Sequence, residues 1–233
     1  MSNDTDTGAV IVAGGRSQRM AGPDKLWAAL AGPDGRERPL LAYAVAAFQR
    51  CEAIDSIVLV VAENAVERAR ELAQREGFDK LRAIVAGGER RQDSVRAGLD
   101  ALRGCEWVAI HDGARPLVAP ELIERGIAEA RGTGAACCAL PAPDTVKEAG
   151  EGRTIIRTLD RSRLWLAQTP QVFRYDLLVN AHATFEGDAT DDAAMIEAQG
   201  GQVQLFPGAR RNLKVTTQED LELVKALLAG EPG

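Results

Sequence analysis

Short apolar runs alternate with amphipathic stretches along almost the whole chain, and this alternation is the strongest constraint on its fold. The apolar runs predict strands at Ala9–Ala13, Ile54–Ala62, Leu81–Val85, Trp107–His111, Ala135–Leu140 and Gln202–Phe206. The amphipathic stretches predict helices at Pro39–Cys51, Asn64–Glu76, Gln92–Arg103, Pro120–Arg131, Tyr175–Phe185, Asp192–Gln199 and Gln218–Leu228, with Asn64 as an N-cap. The sequence therefore predicts an α/β fold with a mostly parallel sheet and helices on both faces.

The composition is that of a globular protein with one sizeable domain. Of the 233 residues, 45% are hydrophobic and 27% are charged, which allows a substantial core. Residues 1–8 are polar and acidic, so they are unlike a signal peptide or a membrane anchor and are predicted to be a disordered tail. We expect a single domain over residues 9–230.

Charge and cysteine content argue against several functions. The net charge of −6 is unfavourable for nucleic-acid binding, which depends on neutralising phosphates with many cations. The four cysteines, Cys51, Cys105, Cys137 and Cys138, have no C-x-x-C spacing, and the chain has only two histidines. We therefore expect no zinc site, and thiols used in this way suit a reducing cytoplasm.

A glycine-rich loop follows the first predicted strand. Gly14 and Gly15 end the strand, and Arg16, Arg19 and Lys25 place three cations near the turn. Because glycine lets several backbone N–H groups approach one anion, the loop suits a triphosphate. It matches neither the ATPase loop G-x-x-x-x-G-K-[ST] nor the dinucleotide motif G-x-G-x-x-G. The alternative is an ordinary tight turn with solvated basic residues.

A second polar loop, residues 87–94, follows the third predicted strand. In a mostly parallel sheet it would meet the first loop at the edge where ligands bind. Ser94 and the glycine backbone are candidates to recognise a nucleobase at the start of the next helix. The alternative is that Asp93 or Ser94 only caps that helix.

A third polar loop, residues 111–116, is expected at the same edge. Asp112 is a candidate to bind Mg²⁺ or a ribose hydroxyl, and Arg115 is a candidate to bind phosphate. The alternative is a structural bridge between Asp112 and Arg115. A lone histidine at a strand end is more often packed than catalytic, so we expect His111 to be a packed residue.

Residues 141–158 break the alternation of strands and helices. The β-prone runs Thr145–Lys147 and Thr154–Thr158 flank a glycine-containing loop and predict a β-hairpin. A lone hairpin is only marginally stable in water, so it should lie against something else, such as a second subunit. Trp165 and Phe173 are predicted to be core or interface residues.

Two features near the C-terminus leave alternatives open. Lys214 is either a cation for a phosphate or a solvated lysine in a β-prone segment. Thr190–Asp192 predicts a helix start, with carboxylates near free amides, and we prefer this capping role to a metal site.

Taken together, the motifs resemble the 2-C-methyl-D-erythritol 4-phosphate cytidylyltransferases, the CTP-using enzymes of non-mevalonate isoprenoid synthesis. The resemblance extends from Ala13 to about Leu227, through AGGRSQRM with PDK, GGERRQDSV, HDGARP, DTVK, LDRSRLW with QTPQ, TDDA and LKVTTQEDL. It implies a Rossmann-like nucleotidyltransferase fold, CMP transfer from CTP to a polyol phosphate, and Mg²⁺ or another divalent cation. It also implies a cytoplasmic homodimer joined by a protruding β-hairpin arm at about residues 141–160.

The resemblance also implies roles for individual residues. Those expected to be catalytic are Arg19, Lys25 and Lys214. Those expected to bind the nucleotide are Ala13, Gly14, Gly15, Gly88, Ser94 and Asp112, with Asp112 the candidate metal ligand. Those expected to bind the acceptor are Arg115, Thr145, Arg161 and Thr169, with Thr145 supplied by the partner's arm. Asp24 beside Lys25 departs from the Pro-Lys of many members, and Glu89 is left unassigned.

Three other functions are compatible with parts of this pattern. A ribitol-5-phosphate cytidylyltransferase shares the scaffold and differs in the acceptor. A molybdenum-cofactor guanylyltransferase has a similar first loop, but HDGARP and the hairpin do not fit it. A non-catalytic nucleotide-binding protein could use the same fold, although it would have no need for Arg19, Lys25, Arg161 and Lys214 together.

Overall fold

The computed structural model describes residues 6–14 and 25–230. In these residues the strands are β1 (Thr7–Ala13), β2 (Ala29–Ala31), β3 (Glu37–Pro39), β4 (Ser56–Val61), β5 (Leu81–Ala86), β6 (Trp107–Asp112), β7 (Ala135–Pro141), β8 (Lys147–Ala149), β9 (Ile155–Thr158), β10 (Trp165–Arg174) and β11 (Gln204–Pro207). The α-helices are α1 (Leu40–Arg50), α2 (Val66–Glu76), α3 (Arg91–Ala101), α4 (Pro120–Thr133), α5 (Tyr175–Thr184), α6 (Asp192–Ala198) and α7 (Gln218–Ala229).

Seven of these strands form one sheet in the order β11-β7-β10-β6-β1-β4-β5. Strand β1 is parallel to β4 and β6, β4 is parallel to β5, and β7 is parallel to β11. Strand β10 runs antiparallel between β6 and β7. The sheet is therefore mostly parallel, as predicted, with one antiparallel strand among its central members.

The two faces of the sheet carry separate apolar cores. In β1, Ala9, Ile11 and Ala13 belong to one core and Val10 and Val12 to the other, because successive side chains of a strand point to opposite faces. The first core includes residues of α1, α2, α4 and α7, and the second includes residues of α3, α5 and α6. The prediction of helices on both faces is confirmed, and this explains why β1 is a continuous apolar run.

Every predicted strand and helix is present, with bounds that differ by at most two residues. Two details of the prediction are wrong. The tail ends earlier than expected, because Thr7 and Gly8 belong to β1, where Thr7 is buried; residues 1–5 lie outside the described part. Asn64 is not an N-cap, because it lies within a 3₁₀ turn at Glu63–Ala65 that precedes α2.

The sequence did not predict β10 or the short β2–β3 hairpin. Strand β10 contains Pro170, a residue that rarely occupies a central strand because it lacks a backbone donor. The pairing of β10 with β7 shifts register between Ala167 and Gln171, around this proline. Phe173 in β10 is fully buried, as expected of a core residue, whereas Trp165 at its start is 40% exposed.

The predicted hairpin is present as a separate two-stranded sheet of β8 and β9. Its first strand begins at Lys147, so Thr145 lies just before the strand and not within it. We call residues 141–160 the arm. Ile155 and Ile156 of the arm are 60% and 62% exposed, so the hairpin presents apolar surface to solvent.

The cysteines and helices bear on the remaining predictions. Cys51, Cys105, Cys137 and Cys138 are buried and free, and burial raises the pKa of the Cys137 thiol to about 12. These thiols therefore act as small core residues.

None of the helices within residues 6–14 and 25–230 is both long and apolar enough to cross a membrane.

Candidate active site

The carboxyl ends of β1 and β6 lie side by side, with Val12 opposite Asp112. Strands β4 and β5 lie on one side of β1 and β6 on the other, so the strand order reverses here and opens a crevice suited to ligands. Strand β1 ends with Ala13 at this crevice, and Gly14 follows it. Gly15, which is expected to bind the nucleotide, lies outside the described residues. So does Arg19, which is expected to be a catalytic cation.

The first and second polar loops touch each other at this edge. A methyl group on Gly87 would lie 2.6 Å from Ser94 Oγ and 3.3 Å from the Gly14 Cα, so the two loops approach as closely as glycine allows. Ser94 Oγ accepts a hydrogen bond from the Gly88 amide at 3.2 Å and donates to the Arg90 carbonyl at 3.2 Å. Ser94 is buried, so its hydroxyl shapes the loop, while Gly88 is exposed to solvent.

Helix α3 is capped by Asp93, whose carboxylate accepts from the Arg90 amide at 3.1 Å. The capping alternative is therefore correct for Asp93. Ser94 has a different role, because it holds the Gly88 backbone in place.

Asp112, the last residue of β6, is the electrostatic centre of the site. Its Oδ1 lies 3.1 Å from Arg91 Nε and its Oδ2 lies 2.7 Å from Lys214 Nζ. Burial would raise the pKa of Asp112, but the charges of Arg91 and Lys214 outweigh it and hold this pKa well below its usual range. Asp112 is therefore a carboxylate held between two cations, and its ion pairs are not with Arg115.

Antiparallel β10 brings its own residues to the same edge. Thr169 Oγ1 accepts a hydrogen bond from the Asp112 amide at 3.0 Å and lies 3.1 Å from His111 Nδ1. The other ring nitrogen, Nε2, lies 3.2 Å from the Arg115 carbonyl, which can only accept, so Nε2 carries the proton. Burial lowers the pKa of His111 to about 4, so this histidine is a neutral, packed residue, as predicted.

Arg115 and Lys214 are joined through the loop that precedes α7. Arg115 is buried, and its Nη1 donates to the Asn212 carbonyl at 2.7 Å. The Asn212 side chain donates to the Thr169 carbonyl at 2.7 Å. The Val215 amide donates to the Ala114 carbonyl at 2.9 Å, which fixes Lys214 opposite Asp112.

Arg91, Asp192 and His182 complete this cluster, although the sequence assigned no site role to Arg91 or His182 and only a capping role to Asp192. Arg91 also contacts Asp192 Oδ2 at 2.7 Å, and Asp192 Oδ1 lies 3.0 Å from His182 Nε2. The predicted capping role belongs to Asp191, whose Oδ1 accepts from the Ala194 amide at 3.0 Å. Arg91 was visible in the second polar loop, but no sequence signal linked His182 to Asp192.

Lys25 begins a 3₁₀ turn, Lys25–Trp27, that directly precedes β2 in the chain. Leu26 is buried, and the guanidinium of Arg68 on α2 lies 4.3 Å over the ring of Trp27. Such a stacked cation is attracted to the face of an indole ring. The turn that carries Lys25 is therefore anchored to the domain just after the lysine.

Thr145 lies in the arm and Arg161 follows the arm directly, so neither belongs to this cluster. Both are exposed, and Arg161 Nη1 donates to the carbonyl of Pro143 in the arm at 2.6 Å. Trp165 and Leu166, which follow the arm, are 40% and 52% exposed. The described contacts thus bring Arg115, Thr169 and Lys214 together with Asp112, and do not join Thr145 or Arg161 to them.

A cavity of about 210 Å³ lies over the cluster and is lined by Arg91, Asp112, Arg115, Thr169 and Lys214, with residues of β10 and the start of α6. It is smaller than the ~300–1,000 Å³ of ordinary ligand pockets, so it suits a small phosphorylated molecule more than a whole nucleotide. A larger cavity of about 730 Å³ lies elsewhere, and its Arg38 is paired with Asp34 and Glu76.

The donor set at this edge suits a magnesium ion that is bound mainly by its substrate. The described residues contain no cluster of three or more histidine, cysteine or carboxylate side chains that could hold a metal by itself. Asp112 is a single carboxylate with lone pairs left after its two ion pairs. Mg²⁺ commonly takes one or two carboxylates and completes its shell with phosphate and water, so Asp112 fits as a lone protein ligand.

Comparisons with known proteins agree with the resemblance. The family 2-C-methyl-D-erythritol 4-phosphate cytidylyltransferase (IspD) matches residues 7–230. The chain is 47% identical over 221 residues to the 2-C-methyl-D-erythritol 4-phosphate cytidylyltransferase of Dehalococcoides mccartyi strain CBDB1, with 95% of each chain covered. It is 40% identical over 225 residues to the enzyme of the same name from Clostridium acetobutylicum, covering 94% of this chain and 96% of that one.

Solved structures show the same similarity. The 4-diphosphocytidyl-2C-methyl-D-erythritol synthase of Anaerococcus prevotii has a TM-score of 0.81 at 28% identity, covering 97% of this chain and 96% of that one. The 2-C-methyl-D-erythritol 4-phosphate cytidylyltransferase of Thermus thermophilus has a TM-score of 0.73 at 33% identity, covering 94% and 96%. With its mostly parallel sheet and its polar edge, the chain belongs to the 2-C-methyl-D-erythritol 4-phosphate cytidylyltransferase family.

Proposed function

We propose that the cluster around Asp112 is where this cytidylyltransferase brings its two substrates together. The reaction of the family is transfer of CMP from CTP to 2-C-methyl-D-erythritol 4-phosphate, with release of pyrophosphate. The observation that carries the assignment is the convergence of Arg91, Arg115 and Lys214 on one small cavity beside the glycine loops. Three cations face two carboxylates there, so the cavity favours a phosphorylated acceptor.

In the proposed site, the acceptor phosphate binds near Lys214, Arg115 and Thr169. Lys214 is paired with Asp112, yet its side chain is 41% exposed, so its ammonium can meet a second anion. The acceptor phosphate is already an anion near neutral pH, and its attack on the α-phosphorus of CTP needs no general base. The difficulty lies in bringing two polyanions together and stabilising the charge of the transition state.

CTP would lie along the glycine loops. Ala13, Gly14 and Gly15 offer backbone groups to the triphosphate, while Gly88, shaped by Ser94, meets the base. Arg19 and Lys25 would stabilise the charge at the α-phosphate, and Asp112 would meet the ribose. Mg²⁺, or another divalent cation, would be held by Asp112 together with substrate phosphates, and when bound it would neutralise part of the triphosphate charge.

We further propose a cytoplasmic homodimer in which each arm reaches the partner's site. The arm exposes Ile155 and Ile156, and both Thr145 in the arm and Arg161 just after it lie apart from the cluster in their own chain. A two-fold dimer would bury the apolar residues and supply Thr145 and Arg161 to the partner's acceptor. The four buried, unbridged cysteines support a reducing compartment.

The experiment is pyrophosphate release from the purified protein with CTP and Mg²⁺, with methylerythritol phosphate and ribitol 5-phosphate offered in parallel. We expect release with methylerythritol phosphate alone. Release only with ribitol phosphate would keep the reaction type and overturn the acceptor. CTP binding without release in either sample would favour a nucleotide-binding protein without catalytic activity.

A further inference from the structure

Arg91 joins three elements around the site. It is the first residue of α3, and it contacts Asp112 at the end of β6 and Asp192 at the start of α6. Because a carboxylate can only accept, His182 of α5 donates from Nε2 to Asp192 Oδ1 at 3.0 Å. A continuous hydrogen-bonded chain therefore runs from His182 through Asp192 and Arg91 to Asp112.

The outer end of this hydrogen-bonded chain, formed by Asp192 and His182, is fixed. Asp192 is fully buried, and the side chain of His182 is only 4% exposed. The side-chain oxygen of Gln171 on β10 accepts from the amides of Asp192 and Ala193 at 3.2 and 3.1 Å. Burial would raise the pKa of Asp192, but Arg91 and His182 hold it below its usual value, so Asp192 remains a charged anchor.

The inner end of the hydrogen-bonded chain, formed by Arg91, sets the orientation of the Asp112 carboxylate. Arg91 holds Oδ1 of this carboxylate and Lys214 holds Oδ2, while Thr169 holds its backbone amide. Two cations on opposite oxygens fix the rotation of the carboxylate about its own axis. Since Lys214 is paired with Asp112, the same contact sets the direction from which its ammonium approaches the cavity.

Stability alone is a poor explanation for this arrangement. Buried ionic bridges are seldom more stabilising than apolar residues of similar volume, because both charges lose their hydration. Arg91 Nη2 is moreover buried without a hydrogen-bond partner among the described residues. Orientation of a carboxylate in the site is a task that a directional, two-pronged guanidinium performs and an apolar side chain does not.

We propose that Arg91 is the positioning residue of the acceptor site: anchored by Asp192 and His182, it orients Asp112 and, through it, Lys214. This inference rests on the proposed function. It gives Arg91, which also lines the cavity, a positioning task, and it adds Asp192 and His182, which act through Arg91.

The test is a double-mutant cycle with Arg91→Gln, Asp112→Asn and the combination, measuring kcat and KM for the acceptor and the melting temperature of each variant. We expect Arg91→Gln to lower kcat/KM for the acceptor by about tenfold or more. In the Asp112→Asn background the same change should lower it by less than about threefold, because its target is already altered. If Arg91 had a purely structural role, Arg91→Gln would lower kcat/KM for the acceptor by the same factor in the wild type and in Asp112→Asn.

The outer residues give a second measurement. His182→Gln keeps a donor close to the position of Nε2, whereas His182→Leu removes it. We expect His182→Gln to stay within about threefold of the wild type and His182→Leu to follow Arg91→Gln, with a raised acceptor KM. The matched control is Arg174→Gln, which removes an exposed arginine that is also paired with an aspartate, Asp176, outside the site.

The outcomes separate the two proposals. Absence of pyrophosphate release from the wild-type protein would overturn the proposed function, and the inference would fall with it. Turnover by the wild type together with additive losses in the cycle would overturn the inference alone. The same holds if His182→Leu lowers only the melting temperature and leaves the acceptor KM at the wild-type value.

Discussion

Lys214 Nζ lies 2.7 Å from Asp112 Oδ2, although the two residues are far apart in the chain. Asp112 ends a buried strand, and Lys214 belongs to the loop that leads into the last helix. The pair places one cation beside the cavity that we propose for the acceptor, and both residues line its wall.

Replacing Lys214 tests this pair directly. We expect Lys214→Ala to lower kcat/KM for the acceptor by about a hundredfold, the scale for losing a preorganised charge, with a smaller effect on the KM for CTP. Lys225→Ala is the matched control, because Lys225 is a similarly exposed lysine paired with Glu222 on α7. Steady-state kinetics of both variants makes this comparison. An equal fall of kcat/KM for the acceptor in Lys214→Ala and Lys225→Ala would contradict the assignment.

Lys25 is expected to act on the transition state. We expect Lys25→Ala to lower kcat by about a hundredfold or more, with the fold unchanged, since the turn remains anchored by Trp27 and Arg68. Pyrophosphate release under saturating CTP and acceptor measures this directly. Nearly intact turnover would mean that Lys25 has been assigned the wrong role.

Thr145 is expected to contact only the acceptor. Thr145→Ala should raise the KM for the polyol phosphate and leave CTP affinity nearly unchanged, because the residue lies in the arm and not along the glycine loops. Titration of each substrate at saturating levels of the other separates the two effects. Equal weakening of both substrates would contradict an acceptor contact from the arm.

The exchange of arms has its own test. In a two-fold dimer, an Arg161→Ala subunit damages the partner's site, whereas Lys25→Ala damages its own. Random mixed dimers of two inactive variants should therefore regain about a quarter of the wild-type activity, because half of the dimers hold one intact site. A mixture that stays as inactive as its components would rule out a shared site.

His111 should make the fold acid-sensitive. Its pKa falls from 6.5 to about 4 on burial, so between these values the unfolded chain binds a proton that the folded chain does not. The free energy of unfolding should therefore decrease as the pH falls through this range, by about 3 kcal/mol in all. In His111→Gln, urea unfolding at a series of pH values should show a shallower decrease; an unchanged slope would contradict the assignment.

The alternation of apolar runs and helices predicted most of the fold because each element carries its own local pattern. Strand β10 was not predicted, because Pro170 and polar side chains interrupt its apolar pattern. Pairing with β6 and β7 nevertheless holds it in the sheet. For the site, motifs pointed to Asp112, Arg115, Thr169 and Lys214, which the structure brings together. Arg91 lies within a motif that the sequence analysis recognised, but it was given no role. No sequence pattern pointed to His182 as part of the site.

Local sequence patterns were enough to predict most of the strands and helices and the polar loops that follow the parallel strands, because hydrophobic periodicity and glycine placement act locally. The pairing of the charges, in contrast, follows from how the elements pack in three dimensions. Asp112 meets Arg91 and Lys214, and not the nearby Arg115, because the antiparallel β10 and the loop before α7 pack against β6. Such pairings depend on distances between elements remote in the chain, and no local pattern encodes them.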